Sequence, residues 1–134
     1  MERRIKTAFL ALVLTQIAHS IEEYAFQFYA AFPPARFLNK LLPGFSRPGF
    51  VVFNLLLDSF GLWCFFFRVR SGSGSARKWV WLWVGIEFFN GFGHPIWSIL
   101  AHAYVPGLAT SVLLLGFAAY LLLILRPKHK GAHG

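Results

Sequence analysis

Residues 7–26 read TAFLALVLTQIAHSIEEYAF, and they place His19, Glu22 and Glu23 inside an otherwise apolar run. A helix that crosses a bilayer needs about 20 predominantly apolar residues. The run is long enough for such a helix, yet it carries an imidazole and two adjacent carboxyl groups. A charge at the bilayer centre costs at least about 2.5–3.5 kcal/mol on insertion scales, so residues of this kind usually serve a function. The stretch therefore predicts a membrane-spanning helix with a functional polar face.

The composition of the 134-residue chain indicates a one-domain integral membrane protein. Hydrophobic residues make up 57% of the chain and charged residues only 13%, whereas soluble domains carry about 25% charged residues. The net charge of +8 comes from basic residues in the termini and loops, which suits anionic lipid headgroups and does not form a nucleic-acid-binding surface. Four of the five acidic residues show the opposite distribution and lie in apolar runs: Glu22, Glu23, Asp58 and Glu87.

Four apolar segments predict an all-α, polytopic membrane protein, with residues 1–134 forming one bundle of four transmembrane helices. The predicted spans are about residues 7–32, 50–67, 79–104 and 106–125. Pro33 and Pro34 are expected to end the first span, because proline disrupts a helix interior. After the fourth span, residues 126–134 are expected to form a polar tail.

Basic residues are divided unevenly between the two sides of this predicted bundle. Ten lie before the first span, between the second and third spans or after the fourth, and three lie between the first and second. The positive-inside rule therefore predicts cytoplasmic N- and C-termini, and we expect a bacterial inner (plasma) membrane. The start of the chain also resembles a signal peptide, although apolar sequence continues past the small residues Ala18 and Ser20 where cleavage would fall.

The polar residues of three spans are predicted to meet at one depth. At about 100° per residue, Glu22 and Glu23 flank the direction of His19 by about 60° and 40°. At about 1.5 Å per residue, these residues lie about 18–23 Å from the cytoplasmic end, and Asn90 and His94 lie about 16–22 Å from it. The polar residues of the second span are Asn54 and Asp58, and those of the third are Glu87, Asn90, His94, Ser98 and His102.

This convergence predicts a buried functional site. The candidate catalytic residues are His19, Glu22, Glu23, Glu87, Asn90 and His94, with Asp58 as a candidate for binding a cofactor. The alternative is that these residues hydrogen-bond helix to helix as structural glue. Gly91 and Gly93 allow a neighbouring helix or a ligand to approach closely, and Pro95 is expected to kink the helix beside His94.

The chain resembles the HXXEE family of small integral membrane proteins. The resemblance is carried by the motif HSIEE at 19–23, by Glu87, Asn90 and His94–Pro95 in the third span, and by Pro106–Gly107 at the start of the fourth. The resemblance covers the whole chain and implies about four helices with the motif in the first. It implies no activity, because none is established for the family. A looser likeness is to membrane sterol isomerases of the emopamil-binding type, which gather His, Glu and Asn in a small helical bundle to move a proton on a lipid.

The first functional hypothesis is a membrane-embedded isomerase, cyclase or hydrolase that acts on a lipid-soluble substrate such as an isoprenoid, sterol-like or acyl molecule. A carboxyl group held in hydrocarbon stays protonated more readily, so it could act as a general acid with His19 or His94 as the base. A variant adds a divalent metal such as zinc, iron or manganese, with His19, Glu23, Glu87 and His94 as ligands. The order His-x-x-Glu departs from the Glu-x-x-His of carboxylate-bridged dimetal bundles.

Two further classes remain open. A proton- or cation-coupled transporter or channel subunit would use the acids as a relay, and it would need a dimer or larger assembly because four helices enclose little space. A structural membrane protein would use the polar cluster as glue between helices. The expected partners are the lipid bilayer, a lipid-like small molecule and a second copy of the chain, and nucleic acid is not expected.

Overall fold

The structure is a computed structural model that describes residues 1–126, and the predicted polar tail from residue 127 onward lies outside the described residues. The α-helices, in chain order, are α1 Arg3–Ala25, α2 Phe28–Ala31, α3 Pro33–Leu41, α4 Ser46–Cys64, α5 Ala76–Ala101 and α6 Leu108–Leu125. A π-helical segment, Phe65–Arg70, continues α4. No strand occurs in residues 1–126, and the predicted all-α class is confirmed.

The first predicted span is interrupted before its expected end at residue 32, so that part of the prediction is wrong. The amide of Phe26 donates to the carbonyl of Glu22 and that of Gln27 to the carbonyl of Tyr24, which closes the end of α1. Gln27 then adopts a left-handed backbone with φ 58°. A residue in this conformation is a common way to end a helix.

The prolines after the first span also differ from expectation. Pro33 begins α3, because the fixed φ of proline suits the first position of a helix and the missing N–H is not needed there. Pro48 lies in the first turn of α4, which starts at Ser46, before the predicted residue 50. The connection between the first two long helices is therefore itself partly helical.

The bundle has an apolar half and a polar half. α6 packs against α1 and α5, and α4 packs on α1. In the apolar half, the starts of α1 and α5 meet the end of α6, with Trp83 in edge-to-face contact with Phe9 at a centroid distance of 6.4 Å. The fully buried side chains of this half include Phe9, Leu12, Val13, Val69, Val80, Trp83, Leu114 and Leu121. Beyond them, the same helices place polar side chains toward one another.

The two glycines singled out in the third span have different surroundings. A Cβ on Gly91 would lie 2.7 Å from Leu115 Cγ, so glycine lets α5 approach α6 closely here. A Cβ on Gly93 would meet no atom of the described residues within 4 Å. The helix α5 continues on both sides of Pro95.

Two helical segments are long and apolar enough to cross a membrane, Ser46–Arg70 and Leu108–Leu125. They correspond to the second and fourth predicted spans. The helices α1 and α5 have 23 and 26 residues, and they carry most of the polar side chains of the site. Much of the outer surface is apolar, including Phe89 at 84% exposure and Leu100 at 76%.

Candidate functional site

His19 and Glu23 lie one turn apart on the buried face of α1. The His19 side chain is fully buried, the Glu23 side chain is 8% exposed, and His19 Nε2 lies 3.6 Å from Glu23 Oε1. The i, i+4 spacing places both residues on one helix face. The sequence therefore directs an imidazole and a carboxyl group together into the bundle.

His94 of α5 approaches the same carboxyl group from the facing helix. Its Nε2 lies 3.3 Å from Glu23 Oε1. The rings of His19 and His94 meet edge to face, with centroids 4.7 Å apart and planes at 85°. Glu23 and His94, which were predicted to lie at similar depths on their helices, are in direct contact.

The three side chains form a candidate metal-binding group. His19, Glu23 and His94 are all buried, and each offers one ligand atom within 4.8 Å of the others. Two imidazoles and a carboxylate are ligands that zinc and iron accept. The same groups can also exchange protons without a metal.

Gly107 closes this group from the loop before α6. Its backbone has φ 86°, and a Cβ on it would lie 2.7 Å from the Cε1 atoms of both His19 and His94. Glycine adopts a left-handed backbone at no steric cost and leaves room for the two rings.

We expect Gly107→Ala to lower the free energy of unfolding by about 1–3 kcal/mol, because it strains the backbone and displaces both imidazoles. Gly116→Ala in α6 is the matched control, since its Cβ would meet no described atom within 4 Å. The control should leave stability unchanged or raise it, because alanine favours a helix. Thermal unfolding of the purified variants in detergent measures the stability of each. Equal stabilities of Gly107→Ala and Gly116→Ala would contradict the close contact at Gly107.

Glu22, although adjacent to Glu23, binds the N-terminus of α6. Its Oε2 accepts hydrogen bonds from Thr110 N at 2.9 Å and Thr110 Oγ1 at 2.6 Å. Its Oε1 accepts from Ala109 N at 3.2 Å and from the Tyr104 hydroxyl. These four donors match the roughly four acceptor positions of an ionised carboxylate, and a helix N-terminus favours negative charge. Glu22 is thus a helix cap that ties α1 to α6.

Thr110 connects this cap to His19, whose Nδ1 lies 2.7 Å from Thr110 Oγ1. Because the Thr110 hydroxyl donates to the Glu22 carboxylate, its oxygen accepts from the Nδ1–H of His19. The neutral imidazole then has its lone pair on Nε2, the atom that faces Glu23. Within residues 1–126 this Nε2 has no hydrogen-bond partner.

A second polar group links α1, α4 and α5 through hydrogen bonds. Asn90 Nδ2 donates to Gln16 Oε1 at 3.1 Å, and Gln16 Nε2 donates to Ser20 Oγ at 3.2 Å. Ser20 Oγ lies 2.9 Å from Asn54 Oδ1 and 3.3 Å from Asp58 Oδ1. Asn90 and Asp58 therefore belong to a chain of hydrogen bonds that crosses between helices.

The sequence pattern did not single out four residues that bond to the site: Gln16, Ser20, Tyr104 and Thr110. The spacing on α1 could have identified Gln16 and Ser20. The two are four residues apart, and Gln16 precedes Glu23 by seven residues, so all three lie near the same helix face. For Tyr104 and Thr110 no spacing rule applies, since their partner Glu22 is more than 80 residues away in the sequence.

Glu87 is fully buried on α5. Neither of its carboxyl oxygens has a hydrogen-bond partner in the described part of the chain. It lies outside the group whose ligand atoms are within 4.8 Å of one another. Of the four predicted metal ligands, the structure therefore brings together His19, Glu23 and His94.

A cavity of about 220 Å³ lies beside Glu23, between α1, α2, α4 and α5. Most of its lining is apolar. The lining residues are Gln16, Glu23, Phe28, Phe50, Phe53, Asn54, Leu57, Ile86 and Asn90. Glu23 thus contacts both imidazoles and also forms part of a cavity wall.

The fold and site define an all-α protein with a buried His/Glu group between its long helices. The chain belongs to the HXXEE family, described as "Protein of unknown function with HXXEE motif", whose sequence profile matches residues 9–121. In this chain the motif residues are His19, Glu22 and Glu23. Comparison with curated proteins and with solved structures gave no match.

Proposed function

We propose that the chain is an integral membrane enzyme that moves a proton on a lipid-soluble substrate, such as an isoprenoid, sterol-like or acyl molecule. The observation that carries this proposal is the position of Glu23. Its Oε1 lies 3.3 Å from His94 Nε2 and 3.6 Å from His19 Nε2, and the residue also lines the cavity. Acid–base catalysis requires such a group within reach of both the substrate and its proton partners.

In the proposed membrane placement, α1, α4, α5 and α6 all cross the bilayer and both termini are cytoplasmic. The apolar outer surface supports this placement, since soluble monomers rarely expose such large apolar areas. At 23 and 26 residues, α1 and α5 are about 35 and 39 Å long, enough to span the hydrocarbon region. The uneven distribution of basic residues supports cytoplasmic termini, and the proposed location is the bacterial inner membrane.

The short helix α3 also supports a membrane location. Phe37 and Leu41 are 63% and 62% exposed on it, while Arg36 and Lys40 occupy other positions around the same helix. Amphipathic helices with basic polar faces lie in the lipid interface. In this placement α3 rests on the bilayer surface between α1 and α4.

The cavity favours a segment of a long apolar molecule as the substrate. Its volume of about 220 Å³ is below the range of about 300–1,000 Å³ that encloses a drug-sized ligand. Phe53 lines the cavity and is 65% exposed, so the wall reaches the outer surface. A lipid could thus place one reactive segment beside Glu23 while the rest of it stays in the bilayer.

In the proposed reaction, Glu23 gives or takes the proton at the substrate, and His94 and His19 receive or supply it on the other side. A purely structural role, hydrogen bonding between helices, is best supported for Asn90 and Gln16, whose side chains join α5 to α1. A transporter or channel subunit would use the same buried acids as a relay, but without changing a covalent C–H bond.

Deuterium exchange tests this proposal. The full chain is placed in D₂O in nanodiscs of bacterial lipid extract supplemented with a polyprenol, a sterol and an unsaturated fatty acid, and the lipids are analysed by mass spectrometry. We expect deuterium at carbon in one lipid class with wild-type protein and at least about 100-fold less with His94→Ala. His102→Asn, a histidine outside the group, should keep the wild-type rate. The proposal would be overturned if the wild-type protein incorporated no more deuterium than His94→Ala into every lipid class.

A further inference from the structure

Two of the three distances between the donor atoms of this group are close to those in the coordination sphere of a small divalent cation. Glu23 Oε1 lies 3.6 Å from His19 Nε2 and 3.3 Å from His94 Nε2. Ligands held tetrahedrally at about 2.0–2.1 Å from zinc lie roughly 3.3–3.4 Å apart. The ligand atoms of the two histidines lie within 4.8 Å of each other, so the two imidazoles would have to move closer together to bind one ion.

All three donors are buried, and one of them is a ring nitrogen that faces the other two. The His19, His94 and Glu23 side chains are 0%, 5% and 8% exposed. Buried polar atoms in folded proteins nearly always have a partner, yet His19 Nε2 has none in residues 1–126. This atom is directed toward Glu23 and His94, the two other donors.

The hydrogen bond on the opposite side of the His19 ring prepares Nε2 as a ligand. His19 Nδ1 lies 2.7 Å from Thr110 Oγ1. Because the Thr110 hydroxyl donates to Glu22 Oε2 at 2.6 Å, we assign the proton of this bond to Nδ1. Metal-binding histidines typically donate their second N–H to an acceptor of this kind, which fixes the tautomer and the ring orientation. Glu22 and Thr110 are therefore positioning residues for the His19 lone pair.

We propose that His19, Glu23 and His94 bind one divalent transition-metal ion of the zinc, iron or manganese class, and that Glu22 acts on this site through Thr110. Two histidines and one glutamate with an open position are a ligand set of catalytic zinc sites. Glu23 lies in the cavity wall, so the open position would be within reach of the cavity contents, where the ion could polarise a substrate oxygen. A bound ion would occupy the nitrogen lone pairs of His19 and His94 and one oxygen of Glu23, so the proton transfer would then use the second oxygen of Glu23 and not the two histidines. The role of the ion in turnover rests on the proposed function, whereas its binding does not.

Metal titration of the full chain in detergent tests the site, with Zn²⁺ followed by calorimetry and Co²⁺ by visible absorption. All proteins carry His129→Ala and His133→Ala, so that histidines of residues 127–134 do not contribute. We expect one ion per chain, and at least tenfold weaker binding for His19→Ala and Glu23→Gln. The control His102→Asn should bind like the parent protein.

The Thr110 variants provide a test that does not remove a ligand. Thr110→Val should weaken binding by about 10–100-fold, and Thr110→Ser should retain it, because only the hydroxyl is needed. Far-UV circular dichroism checks that each variant is folded. The proposal would be overturned if the parent protein bound no ion. It would also be overturned if His19→Ala, Glu23→Gln and Thr110→Val bound the ion as tightly as the parent protein.

The metal site and the proposed enzyme can fail separately. Deuterium exchange that continues at the full rate in metal-free protein would overturn a role for the ion in turnover and leave the proposed acid–base enzyme standing. Stoichiometric binding with the expected variant pattern, but without exchange into any lipid, would support the metal site and overturn the enzyme.

Discussion

Replacing Glu23 with glutamine is expected to slow deuterium incorporation into the lipid substrate by about 10²–10⁴-fold, the usual contribution of a general acid or base. Glutamine keeps nearly the same size and can still hydrogen-bond, but it cannot take up and release a proton at the cavity wall. The rate of deuterium uptake in nanodiscs measures the effect.

Glu2→Gln is the matched control for this variant. Glu2 is an exposed carboxylate that pairs with Arg4 at 2.6 Å, far from the buried group. Its replacement should leave the exchange rate unchanged. A Glu23→Gln protein that exchanges as fast as Glu2→Gln would contradict a catalytic role for Glu23.

Replacing Glu22 with alanine is expected to lower the free energy of unfolding by about 2–3 kcal/mol. The substitution removes the acceptor of two backbone amides at the start of α6 and of two hydroxyls. A lost N-cap alone typically costs about 0.5–2 kcal/mol, and each donor left without a partner adds to this. Denaturant or thermal unfolding in detergent gives the value.

Two comparisons make this prediction specific. Tyr104→Phe removes only one of the four donors and should cost about 0.5–1.5 kcal/mol. Glu2→Ala removes an exposed carboxylate at the start of α1 that makes no cap hydrogen bond, and it should cost less than either. A Glu22→Ala protein as stable as Glu2→Ala would show that Glu22 does not hold α6 to α1.

The common depth of Glu23 and His94 could be predicted because it follows from helix geometry. The turn of about 100° and the rise of about 1.5 Å per residue set both direction and depth along a regular helix. The same rule correctly grouped Glu23 with His19. It also placed Glu87 on the inner side of α5, where the residue is fully buried.

The different roles of Glu22 and Glu23 could not be predicted from spacing. Both residues flank the direction of His19, and only the position of α6 decides which one meets the backbone amides of Ala109 and Thr110. That position depends on tertiary packing and on the left-handed Gly107 before α6. A local pattern in α1 does not contain this information.

The end of α1 was missed for a related reason. Residues 24–32 are uniformly apolar or aromatic apart from Gln27, and neither glycine nor proline marks a break there. The left-handed conformation of Gln27 is adopted rarely by residues other than glycine, asparagine and aspartate. The start of α3 at Pro33 shows the ambiguity of proline, which disrupts a helix interior but suits a first turn.

A double-mutant cycle between Glu23 and His94 tests most directly whether the two helices share one site. The variants Glu23→Gln, His94→Gln and the double substitution are unfolded in detergent, and the coupling free energy is taken from the three changes in stability. We expect a coupling of about 0.5–3 kcal/mol, the range for residues in contact, against less than about 0.5 kcal/mol for the control pair Glu23 and His102. A coupling between Glu23 and His94 no larger than that of the control pair would contradict the shared site.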